Sequence, residues 1–398
     1  MTYARGVSSL ATFFVVVGAH VSAHAQCSYE SPETPLIDLT GTYMGETGGL
    51  YGDGNNTPPA ALFTEGRRRA LDIRPIDGAV VMISVGMSNT TQEFSSFVPL
   101  AMGHPDVNPE LVVVDGAQGS EPAQAWVDPD AATWTEVDRR LMRAGVRPEQ
   151  VQVAWVKQAM PNPRDGFPGH ALTLQGYLED IARALRTNYP NIQLAFFSSR
   201  TRACTERSLN PEPYAYESAF SVRWLIEAQQ SGDASLDPST RAPLVAWGPY
   251  LWAKATPSSD GFAWPCTSVR TDDCTHPAPS GRMLVAEQLL AFFTTDPLAA
   301  PWFLRPGLAP DPDAGMPDPD AGAPVDAGTD ADVVVDAGPM LDSGSDDAGL
   351  DASSGADSGM SESGGGGCAA SRAPAGSMWI LIALAVFRRR VHSSQLHE

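Results

Sequence analysis

Positive charge is scarce in this chain. Its 398 residues include 26 Lys and Arg against 47 Asp and Glu, a formal net charge of −21. An acidic chain without a basic stripe argues against nucleic acid as a partner, because phosphate binding is built on clustered Lys and Arg. The imbalance is local. Residues 311–367 contribute thirteen Asp and one Glu with no Lys or Arg, so 14 of the net negative charges lie there. That stretch is also nearly without aromatics and repeats phrases such as Pro-Asp-Ala-Gly. It cannot bury a core, and self-repulsion keeps it extended, so residues 306–367 read as a spacer. Its Asp-Pro-Asp pairs (Asp311 with Asp313, Asp318 with Asp320) do not fit an EF-hand loop.

Cysteine is sparse too, at Cys27, Cys204, Cys266, Cys274 and Cys368. Four fall in the folded region, and an even number in an exported domain suggests two disulfides. Proximity in the chain favours Cys266 with Cys274, and buried free thiols are the alternative. No His/Cys/Asp cluster has zinc spacing, so no metal is expected. The glycines of residues 41–59 have no strand before them and no Gly-Lys-Ser after them, which argues against a phosphate cradle. They read as a loop at the edge of an active site or as plain surface.

Apolar runs long enough to span a bilayer are also missing. Residues 1–25 carry Arg5, a short apolar segment and a small-x-small site at Ala23-His24-Ala25, the pattern of a secretory signal peptide. Residues 368–398 hold Cys368, a short apolar run from Met378 to Phe387 and the cluster Arg388-Arg389-Arg390. That order orients the arginines toward the cytoplasm, and it resembles the C-terminal sorting signals of myxobacteria. The resemblance implies display on the cell surface or outer membrane, or secretion, with processing machinery acting near Cys368. Membrane contact is then expected only through this segment.

Between the ends lies one domain, 26–305. Its strand-like runs are 80–85, 111–114, 151–155, 192–197 and 244–247. Helical patterns cover 134–144, 172–186, 214–229 and 281–293. Alternating β and α elements predict a parallel five-stranded sheet covered on both faces, an α/β three-layer sandwich. The first run ends Ser84-Val85-Gly86-Met87-Ser88-Asn89 and delivers a serine past a strand's carboxyl end, where open α/β sheets place their ligands. A serine hydroxyl attacks at neutral pH only with a base to take its proton and donors to hold the oxyanion. The best partner downstream is Asp273-Cys274-Thr275-His276. The competing reading of Ser88 is a helix N-cap.

Together these stretches resemble the first and last signature blocks of the SGNH (GDSL-like) hydrolases, whose fold is a flavodoxin-like sandwich. Gly86-Met87-Ser88-Asn89 is similar to the nucleophile turn of the sialate O-acetylesterase and acetylxylan esterase branch. Gly119-Ser120 with Trp126, and Trp155-Val156-Lys157-Gln158, resemble two further blocks of that branch. Departures are Met87 in place of Gln, and Ala159-Met160 after Gln158. The resemblance implies Ser88 as nucleophile, His276 as general base and Asp273 as its orienting acid, with Asp272 the alternative. It implies an oxyanion hole from the Ser88 N–H, the Gly119 N–H and the Gln158 amide, with Gly116 able to replace Gly119.

Asn89, Arg200, Tyr214 and Tyr216 are the expected substrate-binding residues, and Trp247, Tyr250, Trp252 and Trp264 an aromatic wall or core. His104 and His170 read as solvent-exposed loop residues. The expected function is hydrolysis of an acetyl or other short acyl ester, on extracellular carbohydrate, with no cofactor. The alternatives are a carbohydrate-binding module without turnover, and an esterase acting on lipid or aliphatic esters.

Overall fold

A computed structural model describes residues 27–310 of the chain. The segments read as signal peptide, acidic stretch 311–367 and sorting tail lie outside the described residues.

The first ordered pieces are a two-residue hairpin, β1 (Thr42–Tyr43) and β2 (Glu46–Thr47), and helix α1 (Ala60–Asp72). The sheet strands are β3 (Val80–Gly86), β4 (Leu111–Val114), β5 (Val151–Lys157), β6 (Leu194–Phe197) and β7 (Leu244–Trp247). All five are parallel, in the order β4-β3-β5-β6-β7. Every residue of β3, β5, β6 and β7 is buried. That is why these runs are continuously apolar rather than alternating: a parallel sheet is covered on both faces.

The crossovers are α2 (Ser88–Gly103), α3 (Ala132–Arg143), α4 (Gly169–Asn188) and α5 (Tyr214–Gln230), followed by α6 (Pro279–Thr295) and the short α7 (Ala300–Phe303). The chain leaves β3 toward β4 on one side, then returns past β3 to β5 and continues outward. With right-handed crossovers, α2 therefore lies on the face opposite α3, α4 and α5. The packing agrees, since α2 meets α6 and α4 meets α5. This is the α/β three-layer sandwich expected from the sequence. The reversal of strand order beside β3 opens a crevice at the carboxyl ends of β3, β4 and β5.

Three helices lie outside the helical patterns read from the sequence: α1, α2 and the short α7. In α2 the buried face is Phe94, Phe97 and Ala101 together with polar Asn89, Thr90 and Glu93. Those buried polar residues blur the apolar stripe. Phe94 stacks on Trp155 of β5 with ring centroids 5.5 Å apart, and Phe97 meets Phe293 of α6. Gly86 is required where β3 passes into α2, because a Cβ there would lie 2.4 Å from the Thr90 Cβ.

Two disulfides close long loops, Cys27–Cys274 and Cys204–Cys266. The pairing of Cys266 with Cys274 expected from proximity is therefore corrected. Val269 and Pro277 bridge each other, so residues 269–277 fold back as a loop with Cys274 near its tip and Cys266 below its base. Nearness along the chain is not nearness across that loop. Two disulfides suit an oxidising compartment. Among the described residues no helix is long and apolar enough to cross a membrane.

Candidate active site

Ser88 is the first residue of α2, and the cap position before it is Met87, in extended conformation. Ser88 is thus not the helix N-cap, and its hydroxyl is directed elsewhere. Its Oγ lies 2.9 Å from His276 Nε2, and His276 Nδ1 lies 2.8 Å from Asp273 Oδ2. The other Asp273 oxygen, Oδ1, accepts the N–H groups of Thr275 and His276, each at 2.9 Å. Burial works to raise the Asp273 carboxyl, but these N–H groups and the imidazole outweigh it and hold it below the ordinary carboxylate range. An ionised Asp273 requires Nδ1–H to donate, which leaves Nε2 as the acceptor facing the Ser88 hydroxyl. The neighbouring Asp272 instead pairs with Arg270 on the surface.

The loop that brings Asp273 and His276 together is held at several points. Arg270 N–H donates to the His276 carbonyl, and Cys274 N–H to the Arg270 carbonyl, each at 2.8 Å. Cys274 adopts φ +49°, a left-handed conformation that a residue with a Cβ holds only when its surroundings impose it. Its disulfide to Cys27 is one such restraint. Asn89 is another: its Nδ2 donates to the Thr275 carbonyl at 3.0 Å. Asn89 lines the cavity, but its amide donor is engaged in fixing the loop.

The end of β4 is tied to β3 by a polar network. Asp115 accepts from Ser84, Thr91 and Ser95, and Gln118 N–H donates to the Gly86 carbonyl at 2.9 Å. Gly116 N–H is already given to Ser84 Oγ, which removes it as an oxyanion donor. Gly119 stands beside the serine, since a Cβ there would lie 3.9 Å from Ser88 Cβ. Its N–H makes no hydrogen bond among the described residues.

A cavity of about 320 Å³ opens over this group. Met87, Ser88, Asn89, Ser120 and His276 form one side, and Arg200–Ala203 with Ser208–Asn210 the other. Several expected residues are not in its wall. Gln158 is buried, with neither amide atom hydrogen-bonded among the described residues, and Met160 and Pro161 line the cavity in its place. Tyr216 is buried between Trp252, Phe220 and Tyr43, and Tyr214 stacks edge-on against His170. Both tyrosines start α5 and neither lines the cavity; Tyr216 faces the core, so the expectation that it reaches substrate is corrected, while Tyr214 is half-buried. The glycine-rich loop of residues 41–59 does not reach the cavity either. Its hairpin packs on α5, where Tyr43 donates to Glu217 at 2.8 Å. Trp252 and Trp264 are core residues, and Trp247 and Tyr250 border a separate cavity. His170 is buried on α4 rather than exposed, and burial pulls its imidazole down to about 4.

One feature of the site escaped the sequence reading. Lys157 and Glu93 form a completely buried ion pair, with Nζ 2.7 and 2.5 Å from the two carboxylate oxygens. Burial lowers the ammonium to about 8, against the attraction of Glu93. The pair welds the end of β5 to α2, which begins at Ser88. The available signal was Lys157 itself, one of only two lysines in the chain, placed at the end of an apolar strand. Among the described residues no group of His, Cys, Asp and Glu is arranged to hold a metal ion.

No family model matches the chain, and no curated protein matches it. Solved structures do show partial likeness. One is a gut microbial diltiazem-metabolizing enzyme, 12% identical, with a TM-score of 0.31 over 57% of this chain and 50% of that one. A second is a protein from Arabidopsis thaliana, 10% identical, with a TM-score of 0.33 over 54% of this chain and 98% of that one. A third is a protein from Bacillus subtilis, 10% identical, with a TM-score of 0.30 over 56% and 57% of the two chains. The chain thus spans half the length of the diltiazem-metabolizing enzyme. At these scores the comparisons leave the functional argument to the site.

Proposed function

We propose that the protein is a serine ester hydrolase of the SGNH type that removes acetyl or similarly short acyl groups. The observation that carries this reading is the unbroken relay Asp273–His276–Ser88, with both hydrogen bonds under 3 Å, opening onto a small cavity. In the proposed reaction Ser88 Oγ attacks the ester carbonyl carbon and its proton passes to His276 Nε2. Asp273 stabilises the imidazolium without taking its proton. The negative charge on the carbonyl oxygen is received by the N–H of Ser88, free of an intrahelical partner in the first turn of α2, and by the N–H of Gly119.

The intermediate collapses by breaking the bond to the alkoxy oxygen, which leaves as the alcohol with the proton from His276. Water then adds to the acyl-enzyme, gives a proton to His276, and the released acid leaves Ser88 with its hydroxyl restored. A cavity of about 320 Å³ suits a short acyl group better than a long aliphatic chain, at the lower end of the range for small-molecule sites. Two disulfides fit the exported location read from the chain ends.

The test is hydrolysis of p-nitrophenyl acetate by the wild type and by Ser88→Ala. The variant is expected to lose on the order of 10⁴-fold or more in kcat while its thermal unfolding stays close to wild type. Full activity in folded Ser88→Ala would overturn the proposal.

A further inference from the structure

The side of the cavity facing Ser88 comes from the segment that follows β6, and its polar atoms are unusually idle. Arg200 is 6% exposed, lines the cavity, and has Nε and Nη1 buried without an acceptor among the described residues. Ser208 Oγ and Asn210 Oδ1, in the same wall, are also buried and have no partner among the described residues. Buried polar groups are hydrogen-bonded as a rule, and each exception calls for an explanation.

Poor packing does not supply one, because Arg202 lies two residues on, is equally buried, and has its donors filled. Its Nε, Nη1 and Nη2 reach the carbonyls of Ala253, Tyr29 and Trp264 at 3.3, 2.6 and 3.1 Å. Nor does a hidden counter-charge. The acidic group acting on Arg200 is Glu93, and Glu93 already grips Lys157 with both oxygens. Lys157, Glu93 and Arg200 therefore sum to one net positive charge beneath the cavity, and a guanidinium does not shed its proton to relieve it.

We infer that the ester this site takes carries a carboxylate, which pairs with Arg200 while the Ser208 hydroxyl donates to it. The inference rests on the proposed serine-hydrolase reading for where the ester sits. A guanidinium offers two parallel donors that match a carboxylate. One surplus positive charge balances a monoanion rather than a phosphate dianion. Because Arg200 and Ser88 share one cavity of about 320 Å³, the carboxylate and the scissile ester belong to the same small molecule.

The experiment uses the whole protein and two substrates that differ in charge, 4-acetoxybenzoate and its methyl ester. Wild type is expected to favour the anion in kcat/KM by on the order of tenfold to a hundredfold, the range for one hydrogen-bonded charge. The ratio falls to near one in Arg200→Gln and recovers in part in Arg200→Lys. A ratio near one in wild type, which needs no variant to fold, overturns the inference. So does an equal loss on both esters in Arg200→Gln, which places Arg200 on the reacting carbonyl instead.

Binding separates this inference from the reaction. Titrating 4-acetoxybenzoate into Ser88→Ala by calorimetry should give uptake that weakens at least about tenfold when Arg200→Gln is added. If wild type turns over neither ester but this binding and its loss are seen, the hydrolase reading fails and the carboxylate site stands. If Ser88→Ala binds no 4-acetoxybenzoate, or the double variant binds it equally well, the carboxylate site fails whatever the turnover.

Discussion

The two sides of the Ser88 cavity differ in how their polar atoms are used. Around His276, the groups that matter are saturated: Asp273 accepts from two backbone N–H groups and the imidazole, and Asn89 holds the Thr275 carbonyl. Across the cavity, Arg200, Ser208 and Asn210 keep buried atoms with no partner among the described residues. The first arrangement suits groups that must hold one geometry through a reaction, because preorganised dipoles need no rearrangement when charge develops. The second suits a surface whose partner arrives with the ligand, since an unmet buried donor is costly until something meets it. Below them the same contrast appears in two buried cations, Lys157 with its carboxylate and Arg200 without one.

The largest effect that sharpens this contrast lies on the saturated side. Asp273→Asn keeps the shape but removes the charge that fixes the imidazole tautomer. It is expected to lower kcat for p-nitrophenyl acetate by roughly 10²- to 10⁴-fold, with KM little changed, in steady-state kinetics. Activity within a factor of two of wild type would break the proposed relay.

Next comes the buried pair. Lys157→Met strands Glu93 and is expected to cost about 3–5 kcal/mol in denaturant unfolding. Arg200→Gln has no partner to strand and should cost far less, or stabilise. The same Lys157→Met protein, if it folds, should lose its preference for 4-acetoxybenzoate, because Glu93 is released to neutralise Arg200. A comparable cost for the two substitutions would erase the distinction between paired and unpaired cations.

The smallest effect concerns the support of the idle wall. Glu212 accepts the N–H groups of Ala203 and Tyr216 and the Trp252 indole N–H, anchoring the segment that carries Arg200. Burial raises its carboxyl to about 7, against these hydrogen bonds. A raised carboxyl keeps its proton longer in the folded than in the unfolded chain. Its contribution to stability is therefore complete below the unfolded value near 4.5 and is lost as pH rises toward about 7. Glu212→Gln should flatten that decline, by on the order of 5 °C in Tm across the interval, measured by calorimetry at a series of pH values. An unchanged slope would assign the decline to other groups.

Much of this architecture is written locally. The apolar runs at residues 80–86 and 244–247 are strands because they are buried on both faces, and composition reports that directly. The serine after Gly86 and the Asp-x-x-His spacing of Asp273 and His276 were legible for a similar reason. A strand end fixes where one residue sits, and a three-residue turn fixes two others. Helix α2 was not legible, because Asn89, Thr90 and Glu93 interrupt its buried face to serve the site. Tyr216, at the start of α5, was misassigned for the opposite reason. It sits at the correct end of the sheet, but only packing decides that it faces Phe220 and Trp252.

The sequence by itself determined the layer order, the acidic character beyond residue 310 and the residues capable of a relay, since these depend on burial, charge and short spacings along one chain. Tertiary structure alone decided that Cys274 pairs with Cys27 across 247 residues, that Lys157 finds Glu93, and that the Arg200 Nε and Nη1 find no acceptor among the described residues. Those outcomes depend on which distant groups share a space of a few ångströms, and in the low dielectric of the interior such neighbours set both the cost of a charge and its use.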